Sequence, residues 1–243
     1  MKTEEPIFNV PAAVVLLIAL LVAVHIGRSL LSPDADAWFV YAAAFIPARY
    51  NDMLGVDLPG GEVARFTSVV THMFVHGDFT HLALNSLWLL AFGGAIAKRT
   101  GAARFFAFSL LCGVAGAGAF YIFNVGLLAP VIGASGAVSG LMGGTMRFLF
   151  PAMESGGFRQ LREDPRSVRL MPLAEALTDR RVQVANLAFV LINVLAMFGL
   201  GGAQNSAGIA WEAHLGGYAA GFLLFGLFDR TSDEALEFQP SDD

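Results

Sequence analysis

Three short stretches of this sequence carry side chains able to do chemistry in otherwise apolar surroundings. VIGASGAVSGLMGG, residues 131–144, offers Ser135 and Ser139 among five glycines and no charge. EAHLGGYAAG, residues 212–221, offers His214, with Gly217 and Gly221 following at helical spacing. FTHLALN, residues 79–85, offers His81 and Asn85, four positions apart and therefore on one face of a helix. A serine hydroxyl beside a histidine nitrogen can be activated as a nucleophile by general-base proton transfer. The His81/Asn85 pair is a poor metal site, because Asn is not a usual zinc ligand and no HExxH is present. As neutral donors converging on one oxygen the two make chemical sense; hydrogen bonding between helices is their plainer use.

The elements that must hold these groups are membrane helices. Charged residues make up 14% of the 243 and the mean hydropathy is +0.61, whereas a soluble domain carries about a quarter charged residues. Pro6–Gly27, Phe79–Ala97, Phe105–Met146 and Val182–Trp211 contain no formal charge. A crossing needs about 20 apolar residues, so the third stretch holds two, divided near Pro130. The expected fold is an all-α membrane protein, a bundle of six transmembrane helices at 11–31, 80–97, 104–123, 134–150, 184–201 and 211–228. The first span has an acidic flank, Glu4 and Glu5, and no A-x-A-like site, so it reads as a span rather than a cleaved signal peptide. Lys98, Arg99 and Arg104 lie between spans two and three, and Arg147, Arg159, Arg162, Arg166, Arg169, Arg180 and Arg181 between four and five. By the positive-inside rule both termini are cytoplasmic, and spans four and six begin at the same, outer level.

The chain then divides into a cytoplasmic N-terminus (1–10), one six-span domain (11–230) and an acidic, disordered cytoplasmic tail (231–243). Residues 32–79 form a long outer loop between helices 1 and 2, too long for a simple turn, with Trp38, Phe39, Tyr41 and Phe45 as an aromatic anchor at the interface. Residues 151–183 read as a solvated, charged cytoplasmic loop. Cys112 is the one cysteine, so there is no disulfide framework. No basic patch interleaves with aromatics, which speaks against nucleic acid as a partner. Arg far outnumbers Lys and alanine is abundant; this composition points to a GC-rich bacterial genome and hence a bacterial inner membrane.

Gly136, Gly140 and Gly144 form a stripe on span four, and Gly217 and Gly221 one on span six. Such small-residue faces let helix backbones approach closely in lipid, and that packing is a sufficient reason for them on its own. If the two stripes meet, Ser135 and His214 lie at matched depth, one turn in from the outer side. No carboxylate completes a triad. Glu212 is about 200° around the helix from His214, and Asp229 lies at the far end. A Ser–His dyad is the version these residues support.

Taken together, His76, His81 and Asn85 in HGDFTHLALN, Gly133, Ser135 and Gly136 in GASG, and His214, Gly217 and Gly221 in AHLGGYAAG resemble the rhomboid intramembrane serine proteases. The resemblance implies that Ser135 is the nucleophile and His214 the general base. It implies an oxyanion hole of His81, Asn85 and the Ser135 N–H. It places His76 near a water-filled cavity open to the outer side, gives Gly133 the role of keeping the approach to Ser135 clear, and makes residues 202–211 with the end of span five a gate. Substrates would be transmembrane proteins reached within the lipid bilayer, with no cofactor and no metal. Two positions depart from the family pattern. Ser139 stands where some members carry an aromatic that packs on the histidine, and Thr67–Ser68 replace a frequent Trp-Arg pair. Two other readings compete: a catalytically silent rhomboid-like protein that binds transmembrane partners, and a small transporter. The first would lack the serine or histidine, and the second would show repeats or intramembrane carboxylates.

Overall fold

The structure, a computed structural model, describes residues 10–52, 55, 57–197 and 210–229. Helix α1 (Ala12–Ser29) follows Pro11, whose fixed φ suits a helix start. Helix α2 (Pro33–Ala43) is capped by Ser32, whose Oγ accepts the Ala35 N–H, with Asp34 and Asp36 in the first turn where the helix dipole favours them. Helix α3 (Gly61–Thr71) completes the outer loop. Asp78 caps α4 (Phe79–Trp88), which passes through a π-turn at Leu89–Gly93 into α5 (Gly94–Thr100). Then come α6 (Ala102–Phe123), α7 (Ser135–Ser155), α8 (Gly157–Glu163), α9 (Leu173–Thr178), α10 (Arg180–Met197) and α11 (Trp211–Leu224).

Among the described residues the fold is all-α, and three helices are long and apolar enough to cross a membrane: Ala12–Ser29, the continuous α4–α5 rod Phe79–Thr100, and Ala102–Phe123. The ends expected at 1–10, 198–201 and 231–243 fall outside the described residues apart from Val10. Helix α7 reads differently from those three because its neighbours cover it. Gly136, Ala137, Gly140, Leu141, Gly143 and Gly144 are all buried, so small size rather than lipid solubility selects its residues.

Two expectations for the connecting segments need correction. Phe45 is not an interface anchor: it is 4% exposed, stacks on Tyr50 and shares a cluster with Val131. Trp38 and Tyr41 do stay exposed. Residues 151–183 are not a simple solvated loop either. Helix α7 runs on to Ser155 through Pro151, and α8 and α9 fold back under the bundle. Within this cap Arg181 donates to Asp179 and so draws its carboxyl down to about 2; that carboxylate also caps the start of α10.

Arginines read above only as topology signals hold that cap in place. Arg147 is buried and donates to the carbonyls of Met171 and Phe222. Arg99 donates to the carbonyls of Pro165 and Val168 and pairs with Asp229 at 2.7 Å, with side-chain exposures of 4% and 2%. Removing one member of such a pair leaves a buried charge uncompensated. Arg99→Met is therefore expected to cost about 3–5 kcal/mol, read as a fall in the midpoint of unfolding in detergent; an unchanged midpoint would show that the pair is solvated.

Candidate active site

The segment ahead of α7 is pinned by the outer loop. Phe45 and Val131 exchange two backbone hydrogen bonds (3.0 and 2.8 Å), and the Ala48 N–H reaches the Leu127 carbonyl at 3.0 Å. The carbonyl of His72 accepts the Gly133 N–H at 2.9 Å, and the Ala134 N–H approaches His76 Nε2 at 3.4 Å. Gly133 has φ +112°, which side-chain-bearing residues rarely adopt; a Cβ there would lie 2.6 Å from His81 Nε2. The His81 ring thus lies directly over the turn that delivers Ser135 as the first residue of α7.

Ser135 Oγ lies 2.8 Å from His214 Nε2. The approach depends on backbone contact between helices. A Cβ on Gly217 would run into the Gly136 carbonyl, one on Gly221 into that of Gly140, and one on Gly116 would sit 2.6 Å from the Ala213 carbonyl oxygen. Three helices, α6, α7 and α11, therefore share one small-residue seam. Gly144 is the exception to the expected pairing of stripes: it faces Phe108 and Phe225.

His81 is fixed at three points. Its N–H bonds to the Asp78 cap at 2.9 Å, its Nδ1 faces the Gly77 N–H at 3.4 Å, and its ring stands edge-on to His76 at 5.0 Å. With Nδ1 accepting, the ring proton sits on Nε2, the nitrogen nearest Gly133. Asn85 is buried one turn further along, and its Nδ2 donates to the His81 carbonyl at 3.0 Å, which uses one of its two amide hydrogens. His76 departs from its expected place beside open water: it has no exposed surface and braces Ala134 instead, while its own carbonyl takes a hydrogen bond from Arg28 at 2.6 Å. Ser139 is buried within α7. Glu212 turns away from His214 and accepts from Asn124 at 3.0 Å. The gate expected at 202–211 lies outside the described residues except for Ala210 and Trp211. Among the described residues no group of three or more His, Cys, Asp or Glu could hold a metal.

Two sets of residues are absent from the sequence expectations. Asn193 Oδ1 lies 2.8 Å from His214 Nδ1. Its signal was present: Asn186 and Asn193 stand seven apart on an apolar helix, where polar side chains are costly. Arg28 and Arg49 brace the outer loop. Arg28 bonds Asp36, and Arg49 donates to the carbonyls of Pro59 and Tyr41.

Comparison with known proteins gives the same family as the motifs. The Rhomboid domain model matches residues 63–230. A stretch of 88 residues, 35% of this chain, is 34% identical to the protein named rhomboid protein 1, mitochondrial, of Saccharomyces cerevisiae (strain ATCC 204508 / S288c). That match spans 25% of the yeast protein's length.

Proposed function

This chain belongs to the rhomboid family, and on that premise we propose that it is an intramembrane serine endopeptidase acting through Ser135 and His214. The observation that carries the reading is the 2.8 Å separation of Ser135 Oγ and His214 Nε2. In the proposed reaction His214 Nε2 takes the hydroxyl proton as Oγ attacks the carbonyl carbon of the scissile peptide. The carbonyl oxygen becomes an oxyanion, and His81 Nε2–H, the free Asn85 amide hydrogen and the Ser135 N–H are the donors that would stabilise it. The tetrahedral adduct collapses as His214 hands its proton to the leaving amine, which gives an acyl-enzyme. Water, deprotonated by His214, then releases the acid and restores Ser135.

The substrates on this reading are transmembrane proteins whose helices open readily, because an intact helix keeps its carbonyls in its own hydrogen bonds. Three further crossings complete the bundle: α7, α10 and α11, the first of them buried among its neighbours. The arginine-rich α8–α9 cap lies on the cytoplasmic side, as the excess of Lys and Arg there requires. Both termini face the cytoplasm, in a bacterial inner membrane, and Ser135 is reached from the outer side.

A serine-directed fluorophosphonate tests the proposal. The purified protein in detergent is expected to take up one phosphonyl group, located on Ser135 by peptide mass spectrometry. No uptake under conditions that label an active rhomboid would overturn the protease reading. Gly133→Ala probes the donors separately. The new methyl would meet His81 Nε2 and displace it, so turnover of a transmembrane substrate is expected to fall about 10²–10³-fold, the usual cost of losing one oxyanion donor. A near-normal rate would remove His81 from the oxyanion hole.

A further inference from the structure

We infer that Asn193 is a positioning residue for His214, setting both its tautomer and its ring orientation; this rests on the reading of His214 as the general base. The amide of Asn193 cannot be turned around freely. Its Nδ2 donates to the Phe189 carbonyl one turn back at 2.9 Å, which directs Oδ1 at the His214 ring. An amide oxygen only accepts, so the hydrogen between the two groups belongs to His214 Nδ1. With Nδ1 protonated, the lone pair of a neutral ring lies on Nε2, facing Ser135 Oγ, where a base needs it. Asn193 is buried, and the carboxylate nearest in sequence, Glu212, is engaged by Asn124. The side chain on Nδ1 is thus a neutral acceptor where a triad would have an acid.

The rest of the α10 strip shows why Asn193 can hold so fixed a position. Asn186, Phe189 and Asn193 follow one another at helical spacing along the face turned to α11. Asn186 Oδ1 accepts from the Tyr218 hydroxyl at 2.6 Å, and Phe189 stacks on the Tyr218 ring with centroids 4.0 Å apart. The opposite face carries Leu187 and Ile192, about two-thirds exposed at 67% and 65%. Tyr218 lies one turn beyond His214 on α11, so the stacked rings of Phe189 and Tyr218, a contact that phenylalanine would keep, set the register of the two helices and bring Asn193 Oδ1 to the imidazole.

Three variants separate positioning of the base from docking of the helix. Asn193→Leu keeps the shape and loses the acceptor, Asn193→Asp keeps an acceptor, and Tyr218→Phe removes the neighbouring tie while leaving Asn193 in place. Leaving the imidazole N–H without its partner is expected to slow Ser135 phosphonylation and kcat about 10–100-fold, or about 1.4–2.7 kcal/mol at 1.36 kcal/mol per tenfold, which lies within the cost of an unsatisfied buried donor, with KM for a transmembrane substrate little changed. Asn193→Asp is expected to recover most of that loss, and Tyr218→Phe to stay near the wild-type rate. In ¹⁵N-histidine spectra of the wild type His214 is expected to show a protonated Nδ1, and in Asn193→Leu that signature is expected to be lost or mixed. A wild-type rate in Asn193→Leu would overturn the inference, as would an equal loss in Tyr218→Phe or a wild-type His214 protonated on Nε2. The spectra report on Asn193 even if the wild type takes up no probe and cleaves nothing, a result that would remove the protease reading alone.

Discussion

Ser135→Ala is expected to abolish both cleavage and phosphonate uptake, a loss of about 10⁶-fold or to background, while the bundle stays folded. The change deletes one oxygen, whose hydrogen bond is to His214 Nε2. A single neutral hydrogen bond contributes about 1 kcal/mol net, and alanine is at least as good a helix residue as serine. The unfolding midpoint should therefore barely move. His214→Ala should cost about as much as Ser135→Ala, and the double variant no more than either, because two groups that act as one unit do not lose rate additively. Ser139→Ala is the discriminating control. It lies one turn further into α7, buried and away from the end of the helix where His214 bonds Ser135, and its loss should leave the rate intact. Uptake of probe by Ser135→Ala, or its loss in Ser139→Ala, would sink the assignment of the nucleophile.

Which parts of this site the sequence discloses follows from the kind of signal each part leaves. Ser135, His214, His81 and Asn85 stand out because a polar group in an apolar stretch is costly and therefore conspicuous. The closeness of Ser135 to His214 could be inferred because glycine stripes fix which helix faces meet. The pairing of Gly136 with Gly217 and Gly140 with Gly221 is what spacing suggested; Gly144 failed because aromatic rings from α6 and from just past α11 reach it first. Asn193 left the same kind of signal as Asn85 but no motif drew attention to it. Moreover, its partner is 21 positions away, on a helix whose packing angle no spacing rule gives. Phe45 was misplaced for a related reason. An aromatic in a long loop looks interfacial until the backbone bridge to Val131 pulls it inward. The arginines show the opposite error: counting them gave an orientation, but not that Arg99 and Arg147 stitch the α8–α9 cap to the bundle through carbonyls far away in sequence. Long-range pairings of backbone carbonyls leave no trace in side-chain patterning.

Gly221→Val should slow catalysis about 10²-fold from two turns beyond His214, without removing any atom of the Ser135–His214 pair. Its Cβ would fall onto the Gly140 carbonyl group, with Gly140 C and Cα both 2.6 Å away, and backbone on a packed helix cannot rotate aside as a side chain could. Relief requires α7 and α11 to separate by at least about 1 Å, because the Gly140 oxygen would lie closer still than these two carbons and an ordinary contact is about 3.5 Å or more. That movement acts on the seam that holds Ser135 Oγ and His214 Nε2 at 2.8 Å; lengthened by the same amount, the contact is no longer a hydrogen bond. A misplacement of about 1 Å commonly costs about 10²-fold in rate, and overpacking adds about 1–3 kcal/mol of destabilisation. Both are expected here, with the rate lost at temperatures where the protein is still folded. Gly118→Ala supplies the comparison, since a Cβ there meets nothing within 4 Å. That substitution should leave activity unchanged and raise stability slightly, by about 0.5–1 kcal/mol, as alanine replaces glycine inside a helix. If Gly221→Val retained full phosphonylation, the spacing between α7 and α11 would not be what brings Ser135 to its base, and another element would have to be found that does.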